Sequence, residues 1–255
     1  GRFIMATTAQ AVFSERAAFY VTSATHTDKK VLERVVELAK PLPFDLALDV
    51  ATGTGHTAFA LAPLVREVIA IDVTTEMLIE GRKLKVEHGL QNVEFRLADV
   101  HELPFDDQSF DIVTCRRAAH HFVDIGKAID EMKRVLKNGG RLVIDDRSVP
   151  DEDFVDTTMN RLDWLHDESH IRQYRSSEWE RMLIDAGFNV ESVEPYIQHR
   201  PLSSLTDNVD PQNVAEIKSI IATLNESQRK ALNVIEKDGE LYLNHWYVMI
   251  AATKS

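Results

Sequence analysis

Three carboxylates in the N-terminal half of the chain, Asp49, Asp72 and Asp99, lie at or directly after the ends of three apolar segments. Between the first two, Gly53-x-Gly55 precedes a helical pattern, and Asp72 follows Gly53 after about 20 residues. Glycine backbone lets a ligand approach closely, and a helix that begins there adds N–H groups. A carboxylate after the second segment can accept hydrogen bonds from the two ribose hydroxyls of an adenosine. A carboxylate after the third segment can accept a hydrogen bond from the adenine amino group. The spacing therefore indicates a site for an adenosine-containing ligand.

The same segment also fits a dinucleotide-binding fingerprint, because Gly53-x-Gly55-x-x-Ala58 is followed by Asp72. Asp49 favours a different ligand, since a pyrophosphate on the glycine turn would face its negative charge. The ammonium and sulfonium groups of S-adenosylmethionine would instead be attracted by it. We therefore expect S-adenosylmethionine as the cofactor. The alternatives are an NAD-dependent oxidoreductase and a non-catalytic nucleotide- or partner-binding module, which would need no acceptor pocket.

A pair of histidines supplies candidates for a catalytic base. Methyl transfer from a sulfonium is an in-line displacement, so the protein mainly positions the acceptor, excludes water and removes a proton where the acceptor carries one. His120 and His121 follow the fourth predicted strand, shortly after Arg116 and Arg117, and histidine suits proton removal near neutral pH. We predict His121 as the base, with His120 as the second candidate. In the competing interpretation, these histidines only cap the turn before Phe122.

A second group of basic and aromatic residues is predicted to bind the acceptor. Its members are Arg161, His166, His170, Arg172 and Tyr174. Because the chain as a whole is acidic, this local enrichment predicts a small, anionic acceptor. The alternative is a solvated helix face on which these groups pair with Asp163, Asp167 and Glu168.

Between these candidate sites the chain alternates between apolar strands and amphipathic helices, a pattern typical of βαβ units and a parallel sheet. Strands are predicted over 46–51, 68–72, 93–98, 110–115, 141–145, 188–193 and 241–252. The last strand has no crossover helix beside it, so we expect it to run antiparallel to its neighbours. The predicted fold is α/β, a Rossmann-like three-layer sandwich with a seven-stranded, mostly parallel sheet and an antiparallel last strand.

The length and composition fit one globular domain. The chain has 255 residues, of which 44% are hydrophobic and 27% charged, and we expect a single domain over 5–255. Segment 46–146 carries the cofactor residues. Beyond it, 151–175 and 195–240 interrupt the strand–helix alternation and are predicted as helical insertions that form a cap over the acceptor.

Charge and cysteine content narrow the expected partners. The net charge is −12, so we expect neither nucleic acid nor an anionic membrane surface as a partner. Cys115 is the only cysteine, which excludes an intramolecular disulfide and favours a cytoplasmic setting. Asp145-Asp146 supplies only half of a magnesium site, and we expect no metal. A small-molecule acceptor is the expected partner, and homodimer formation stays open.

Six segments carry a resemblance to a known family. They are LDVATGTG (48–55), IDVT (71–74), ADV (98–100), LPF (103–105), FDIVTCR (110–116) and LKNGG (136–140). Over about 45–146, the chain resembles the class I S-adenosylmethionine-dependent methyltransferases, and within them the ubiquinone/menaquinone-biosynthesis-like (methyltransferase type 11) small-molecule group. One departure is Ala51, which stands where the family has the first glycine of its acidic-x-Gly-x-Gly-x-Gly motif.

The resemblance implies roles for individual residues. Asp49 and the Gly53/Gly55 turn would hold the methionine end of S-adenosylmethionine, while Asp72 would bind the ribose and Asp99 the adenine. Further cofactor-binding residues on this basis are Ala51, Val73, Met77, Val100 and Arg116. The stretch 20–26 resembles the helical lid of this group, which predicts a lid over 13–40. Within it, the candidate cofactor residues are Tyr20, Thr25 and His26, and the alternative is a capped turn before the helix at Asp28.

Overall fold

The computed structural model describes Gln10, Ala11, Phe13, Ser14, Arg16, Ala17 and residues 28–255. The strands are β1 (Leu46–Val50), β2 (Glu67–Asp72), β3 (Val93–Leu97), β4 (Phe110–Arg116), β5 (Leu136–Val149), β6 (Tyr174–Arg175), β7 (Phe188–Pro201), β8 (Ile235–Lys237) and β9 (Glu240–Lys254). They form one sheet in the order β3-β2-β1-β4-β5-β9-β7, with β6 paired to the end of β5 and β8 to the start of β9. The first five strands are parallel, and β9 is antiparallel to both of its neighbours. The predicted fold class and the antiparallel last strand are confirmed.

Helices cover both faces of this sheet. They are α1 (Lys29–Ala39), α2 (His56–Leu61), α3 (Thr75–Glu87), α4 (Ile125–Val135), α5 (Asp153–His166), α6 (Ser176–Asp185), α7 (Ser203–Thr206), α8 (Pro211–Ala222) and α9 (Glu226–Ala231). Apolar residues of α1, α2 and α3 pack in one buried cluster against the sheet, and those of α4 and α6 pack in another. These two clusters produce the three layers. Within the described part of the chain, no helix has the length and apolar composition needed to cross a membrane.

The helix α1 shows how local sequence determines an element. Asp28 caps it by accepting hydrogen bonds from the backbone N–H groups of Lys30 and Val31. Val31, Val35 and Leu38 recur at helical spacing and are buried against the sheet. Residues 29–39 of the predicted lid are therefore packed against the sheet. Tyr20, Thr25 and His26 lie outside the described residues.

The strand count differs from the seven predicted, because two short strands extend the sheet to nine. β6 has only two residues and β8 only three. Strands this short are not recognisable from alternation of apolar and polar residues in the sequence. β7 also continues to Pro201 and pairs with β9 along its whole length, so 195–201 is strand where helix was predicted. As an edge strand, β7 accommodates Pro195 and polar side chains that do not resemble a buried strand.

The segments predicted as an acceptor cap have a small core of their own. Val155, Met159 and Leu162 of α5 are buried together with Ile217 and Ile221 of α8, and α7 and α9 add further apolar residues. β5 ends and β9 begins at the same edge of the sheet, because the two strands are antiparallel. This cluster therefore stands at the carboxyl edge of the parallel strands.

Candidate active site

A cavity lies at the carboxyl edge of the sheet, where the loops after β1, β2 and β4 meet. It holds about 1410 Å³ of empty space, including a part open to solvent. The predicted site residues that line it are Asp49, Ala51, Gly53, Asp72, Val73, Met77, Asp99, Val100, Arg116 and His121. One of the two candidate bases thus shares a cavity with most of the predicted cofactor residues.

Asp49, near the end of β1, presents a buried carboxylate to this cavity. Its two oxygens accept hydrogen bonds from the hydroxyls of Thr52, at 2.5 Å, and Thr114, at 2.7 Å. Burial raises the pKa of Asp49 to about 6, although these hydrogen bonds and the nearby Arg116 cation act in the opposite direction. A cationic ligand group beside Asp49 would stabilise its charged form.

The turn after β1 has left-handed backbone at three positions, with φ of +50° at Ala51, +59° at Gly53 and +99° at Gly55. A Cβ at Gly53 would meet no atom within 4 Å, so the backbone there is accessible from the cavity. A Cβ at Gly55 would lie 2.8 Å from the Phe95 ring, and Gly55 does not line the cavity. Gly55 therefore lets the turn pack closely against β3, and its predicted contact with the cofactor stays a prediction.

Asp72, at the end of β2, is held by backbone groups. Its Oδ2 accepts from the N–H of Gly53 and its Oδ1 from the N–H of Thr74, both at 2.9 Å. Burial raises the pKa of Asp72 in spite of these hydrogen bonds. Each carboxylate oxygen can accept more than one hydrogen bond. Asp72 can therefore accept hydrogen bonds from two ribose hydroxyls while it still holds the glycine turn in place.

The adenine end of the predicted site is partly open. Asp99 Oδ1 accepts from the backbone N–H of His101 at 2.9 Å and lies 2.7 Å from the His101 Nδ1. Val100 and Met77 are buried and line the cavity beside it. His101 also lines the cavity and was not predicted from the sequence.

Thr54 provides an independent test of whether the site fits S-adenosylmethionine. Its side chain is buried and lines the cavity, and its Oγ1 has no hydrogen-bond partner among the residues that the structure describes. A buried hydroxyl ordinarily has one, so a polar ligand group is the natural partner. The methionine end of S-adenosylmethionine carries an ammonium and a carboxylate, and the neighbouring Asp49 offers the charge that complements its cationic groups. The residues present therefore fit this cofactor.

His121 lies on the 3-10 turn Ala119–His121 that follows β4. Its Nδ1 is 3.0 Å from Ser169 Oγ, and the Phe13 ring packs edge-on against it with ring centroids 4.9 Å apart. His121, Ser169 and Phe13 all line the cavity. The candidate base is therefore held between the loop after α5 and the N-terminal helical residues.

His120 points elsewhere and does not line the cavity. Its Nδ1 lies 2.5 Å from Asp146 Oδ1, and its backbone N–H donates to Asp146 Oδ2 at 2.8 Å. Burial, together with the neighbouring His121 and His170, lowers the pKa of His120 well below its usual value. The geometry therefore favours His121 over His120 as the base, because the His120 ring anchors the turn to β5.

The residues predicted to bind the acceptor do not line the cavity: Arg161, His166, His170, Arg172 and Tyr174. Arg172 donates to the carboxylates of Asp156 and Glu178 at about 2.9 Å. Arg161 pairs with Glu216 at the surface. Acidic partners in the cap and on α6 thus compensate the positive charges that suggested an anion site.

The other three predicted acceptor residues are structural as well. His166 Nδ1 lies 3.1 Å from the carbonyl oxygen of Leu205, and His170 Nε2 lies 2.9 Å from Asn160 Oδ1. Burial lowers the pKa of His166, and it lowers that of His170 to about 4. Tyr174 packs edge-on against Trp179. These contacts join the three side chains to neighbouring parts of the protein, so the geometry does not favour them as acceptor-binding residues.

Several cavity residues were missed in the sequence. Besides those already described, they are Gln10, Thr52, His56, Thr57, Arg117, Ala118, Val123, Glu168, Ser169 and Ile171. The available signal for the loop was the run Asp167-Glu168-Ser169 directly after α5, where polar side chains return to the sheet edge. Tyr20, Thr25 and His26, as noted, cannot be placed in the cavity, since they lie outside the described residues.

A mostly parallel sheet with buried carboxylates at its strand ends, a glycine turn and a histidine in one cavity defines a nucleotide-binding enzyme of the Rossmann-like class. Residues 45–187 match a family model described as a methyltransferase domain. The chain belongs to this methyltransferase family, and S-adenosylmethionine is its cofactor. The predicted family, enzyme class and cofactor are confirmed, and the oxidoreductase and non-catalytic alternatives are not supported.

Relatives agree with this assignment. The chain is 39% identical over 171 residues to the uncharacterized methyltransferase YcgJ of Bacillus subtilis, covering 67% of this chain and 68% of that protein. A crystal structure of a candidate methyltransferase from Bacillus halodurans has a TM-score of 0.84 at 33% identity, covering 88% of this chain and 98% of that one. A ubiquinone/menaquinone biosynthesis C-methyltransferase of Citrifermentans bemidjiense is 42% identical over 107 residues, which cover 40% of this chain and 46% of that protein.

Proposed function

We propose that the protein transfers the methyl group of S-adenosylmethionine to a small acceptor that loses a proton to His121. The observation that supports this proposal is the shared cavity, which His121 lines together with Asp49 and Asp72. The side chain of His121 is 9% exposed, so a bound acceptor would meet it with little competing water.

When bound, S-adenosylmethionine supplies a methyl group activated by the positive charge on sulfur. In the proposed arrangement, Asp49 and Thr54 hold the methionine end, Asp72 the ribose and Asp99 the adenine. The buried carboxylate of Asp49 favours the positively charged donor over its neutral-sulfur product. This preference assists exchange of product for fresh donor after each turnover.

The positive charge that faces the acceptor comes from Arg116 in this proposal, in place of Arg172. Arg116 ends β4, is buried and lines the cavity, and its Nε donates to Thr57 Oγ1 at 3.0 Å. Burial lowers the pKa of Arg116, and the nearby Asp145 carboxylate opposes this effect. A guanidinium fixed in a dry site stabilises an acceptor that is anionic or becomes so when it loses its proton.

Apolar side chains at the mouth of the cavity favour an acceptor with an apolar or aromatic body. Val123 and Ile171 line the cavity and remain 68% and 50% exposed, and Phe13 and Phe122 lie on its wall. Exposed apolar side chains around a pocket commonly contact a ligand. Because one group of relatives is named for carbon methylation in quinone biosynthesis, phenolic ring compounds are among the first acceptors to test.

The same proposal assigns the domain organisation. Segment 46–146 binds the donor, and the helices within 151–175 and 195–240 cap the acceptor end. Of the segment predicted as a lid over 13–40, the described residues ahead of α1 act as a lid, supported by the contact of Phe13 with His121, while α1 packs against the sheet. A partly enclosed cavity and a net charge of −12 favour a small-molecule acceptor over nucleic acid.

The test is transfer of label from methyl-labelled S-adenosylmethionine to fractionated metabolite extracts and to a panel of simple phenols. His121→Ala should reduce transfer by about 100-fold or more, as expected for loss of a general base, while S-adenosylhomocysteine still binds. His199→Ala is the matched control, because His199 is exposed on β7 and does not line the cavity. Undiminished transfer by His121→Ala would remove this residue from the mechanism.

A further inference from the structure

Ser169 and Asp167 form a chain of hydrogen bonds behind His121. Ser169 Oγ lies 3.0 Å from His121 Nδ1 and 2.6 Å from Asp167 Oδ1. Ser169 is 3% exposed and Asp167 8% exposed, so water competes little for these contacts. Neither residue was assigned a role in the site by its sequence pattern.

The chemistry of the three groups fixes the direction of the hydrogen bonds. An ionised carboxylate only accepts, so the single O–H of Ser169 donates to Asp167, and its oxygen is left to accept from the Nδ1–H of His121. Burial alone would raise the pKa of Asp167, but His121 and two hydrogen bonds from Ser169 outweigh it and lower that pKa. The neutral His121 ring therefore carries its proton on Nδ1.

This tautomer leaves the lone pair on Nε2. No residue in the described part of the chain hydrogen-bonds to Nε2, and Asp167 Oδ2, at 3.9 Å, is too far to do so. Nε2 can consequently take a proton from a molecule in the cavity. The charge of Asp167 at this distance would then stabilise the resulting imidazolium.

Backbone contacts keep the two segments in register. The N–H groups of Ile171 and Arg172 both donate to the carbonyl oxygen of His120, at 2.8 Å and 3.1 Å. The N–H of Ser169 also donates to Asp167 Oδ1 at 2.9 Å. The loop is thus attached to the turn that carries His121, and the position of Ser169 does not depend on a ligand.

We infer that Ser169 and Asp167 are positioning residues that hold His121 in the Nδ1–H tautomer and present its Nε2 as the base. The use of Nε2 as a base rests on the proposed function. The tautomer itself is a property of the protein without substrate, so it can be measured even where no acceptor is known.

The test is long-range ¹H–¹⁵N NMR of the protein with ¹⁵N-labelled histidine, in which His121→Gln identifies the signals of His121. In the wild-type protein, neutral His121 should show a protonated Nδ1 and an unprotonated Nε2. Ser169→Ala should lose this preference, and Ser169→Thr, which keeps the hydroxyl, should restore it. Ser177→Ala is the matched control, because it removes a 2.9 Å serine–aspartate hydrogen bond to Asp151 outside the cavity.

A proton on Nε2 in the wild-type protein would overturn the inference, and so would an unchanged tautomer in Ser169→Ala. If Ser169→Ala does not fold, the wild-type spectrum decides alone. An Nδ1–H tautomer combined with full methyl transfer by His121→Ala would refute the proposed base while it supports the positioning.

Discussion

Replacing Asp49 by asparagine should stabilise the protein in the absence of ligand and weaken binding of the methyl donor. Asp49 is 1% exposed, and its burial raises the pKa to about 6 from an ordinary value of 3.8. A carboxyl whose pKa is raised by folding makes the folded state less stable wherever it is ionised. Asparagine has nearly the same shape and carries no charge, so it removes this destabilisation.

The size of the effect follows from the pKa. A change from 3.8 to about 6 corresponds to about 3 kcal/mol at pH 8, where Asp49 is ionised in both states. The value already includes the opposing contributions of Thr52, Thr114 and Arg116. Because one threonine hydroxyl must reverse its hydrogen bond to suit the asparagine amide, we expect a gain of about 1–3 kcal/mol. The gain should decrease below pH 6 and vanish only near pH 3, below the ordinary pKa of 3.8, where the carboxyl is protonated in both states.

The assay is denaturant unfolding of wild type and Asp49→Asn at pH 8 and at lower pH, with calorimetry on both proteins. Asp130→Asn is the control, since Asp130 is exposed on α4 and should change stability little. Asp49→Asn should lose more affinity for S-adenosylmethionine than for S-adenosylhomocysteine, whose sulfur is uncharged. A variant less stable than wild type at pH 8, or a gain that persists unchanged at pH 4, would refute this reasoning.

Three further predictions concern the turn and the cap. Ala51→Gly should raise the free energy of unfolding, measured with a chemical denaturant, by about 1 kcal/mol, because a φ of +50° disfavours a residue with a Cβ. An unchanged or lower free energy of unfolding would contradict this prediction. Gly55→Ala should lower the melting temperature, since the new Cβ would lie 2.8 Å from the Phe95 ring and φ at this position is +99°. A melting temperature equal to that of the wild type would contradict this prediction. Arg172→Ala should lower the melting temperature, because Glu178 loses its ion pair and Asp156 keeps only Arg175, yet S-adenosylhomocysteine affinity should stay unchanged in calorimetry. Weaker S-adenosylhomocysteine binding would contradict a purely structural role of Arg172.

The donor side of the site was the more predictable part. Asp49, Asp72 and Asp99 follow parallel strands, and the carboxyl ends of such strands necessarily meet at one edge of the sheet. Strand positions therefore determined which carboxylates would face the cavity. Packing contacts within the turn left no comparable signal, which is why Gly55 was assigned to the ligand although it accommodates Phe95.

The acceptor side was less predictable, because it depends on ion pairs between residues that are far apart in the sequence. Arg172 and Arg161 suggested an anion site by their charge. Asp156 and Glu216 in the cap and Glu178 on α6 neutralise them. Charge spacing on a helix cannot distinguish a free cation from one paired with a distant element.

In the proposed arrangement, the cavity binds S-adenosylmethionine through Asp49, Thr54, Asp72 and Asp99. Calorimetric titration with S-adenosylhomocysteine and with NAD tests it most directly, on wild type and on Asp72→Ala. We expect S-adenosylhomocysteine to bind and NAD not to bind, with Asp72→Ala weakening the former by about 10- to 150-fold through loss of charged hydrogen bonds to the ribose. Binding of NAD without S-adenosylhomocysteine, or equal S-adenosylhomocysteine affinity in Asp72→Ala, would contradict the assignment of this cavity.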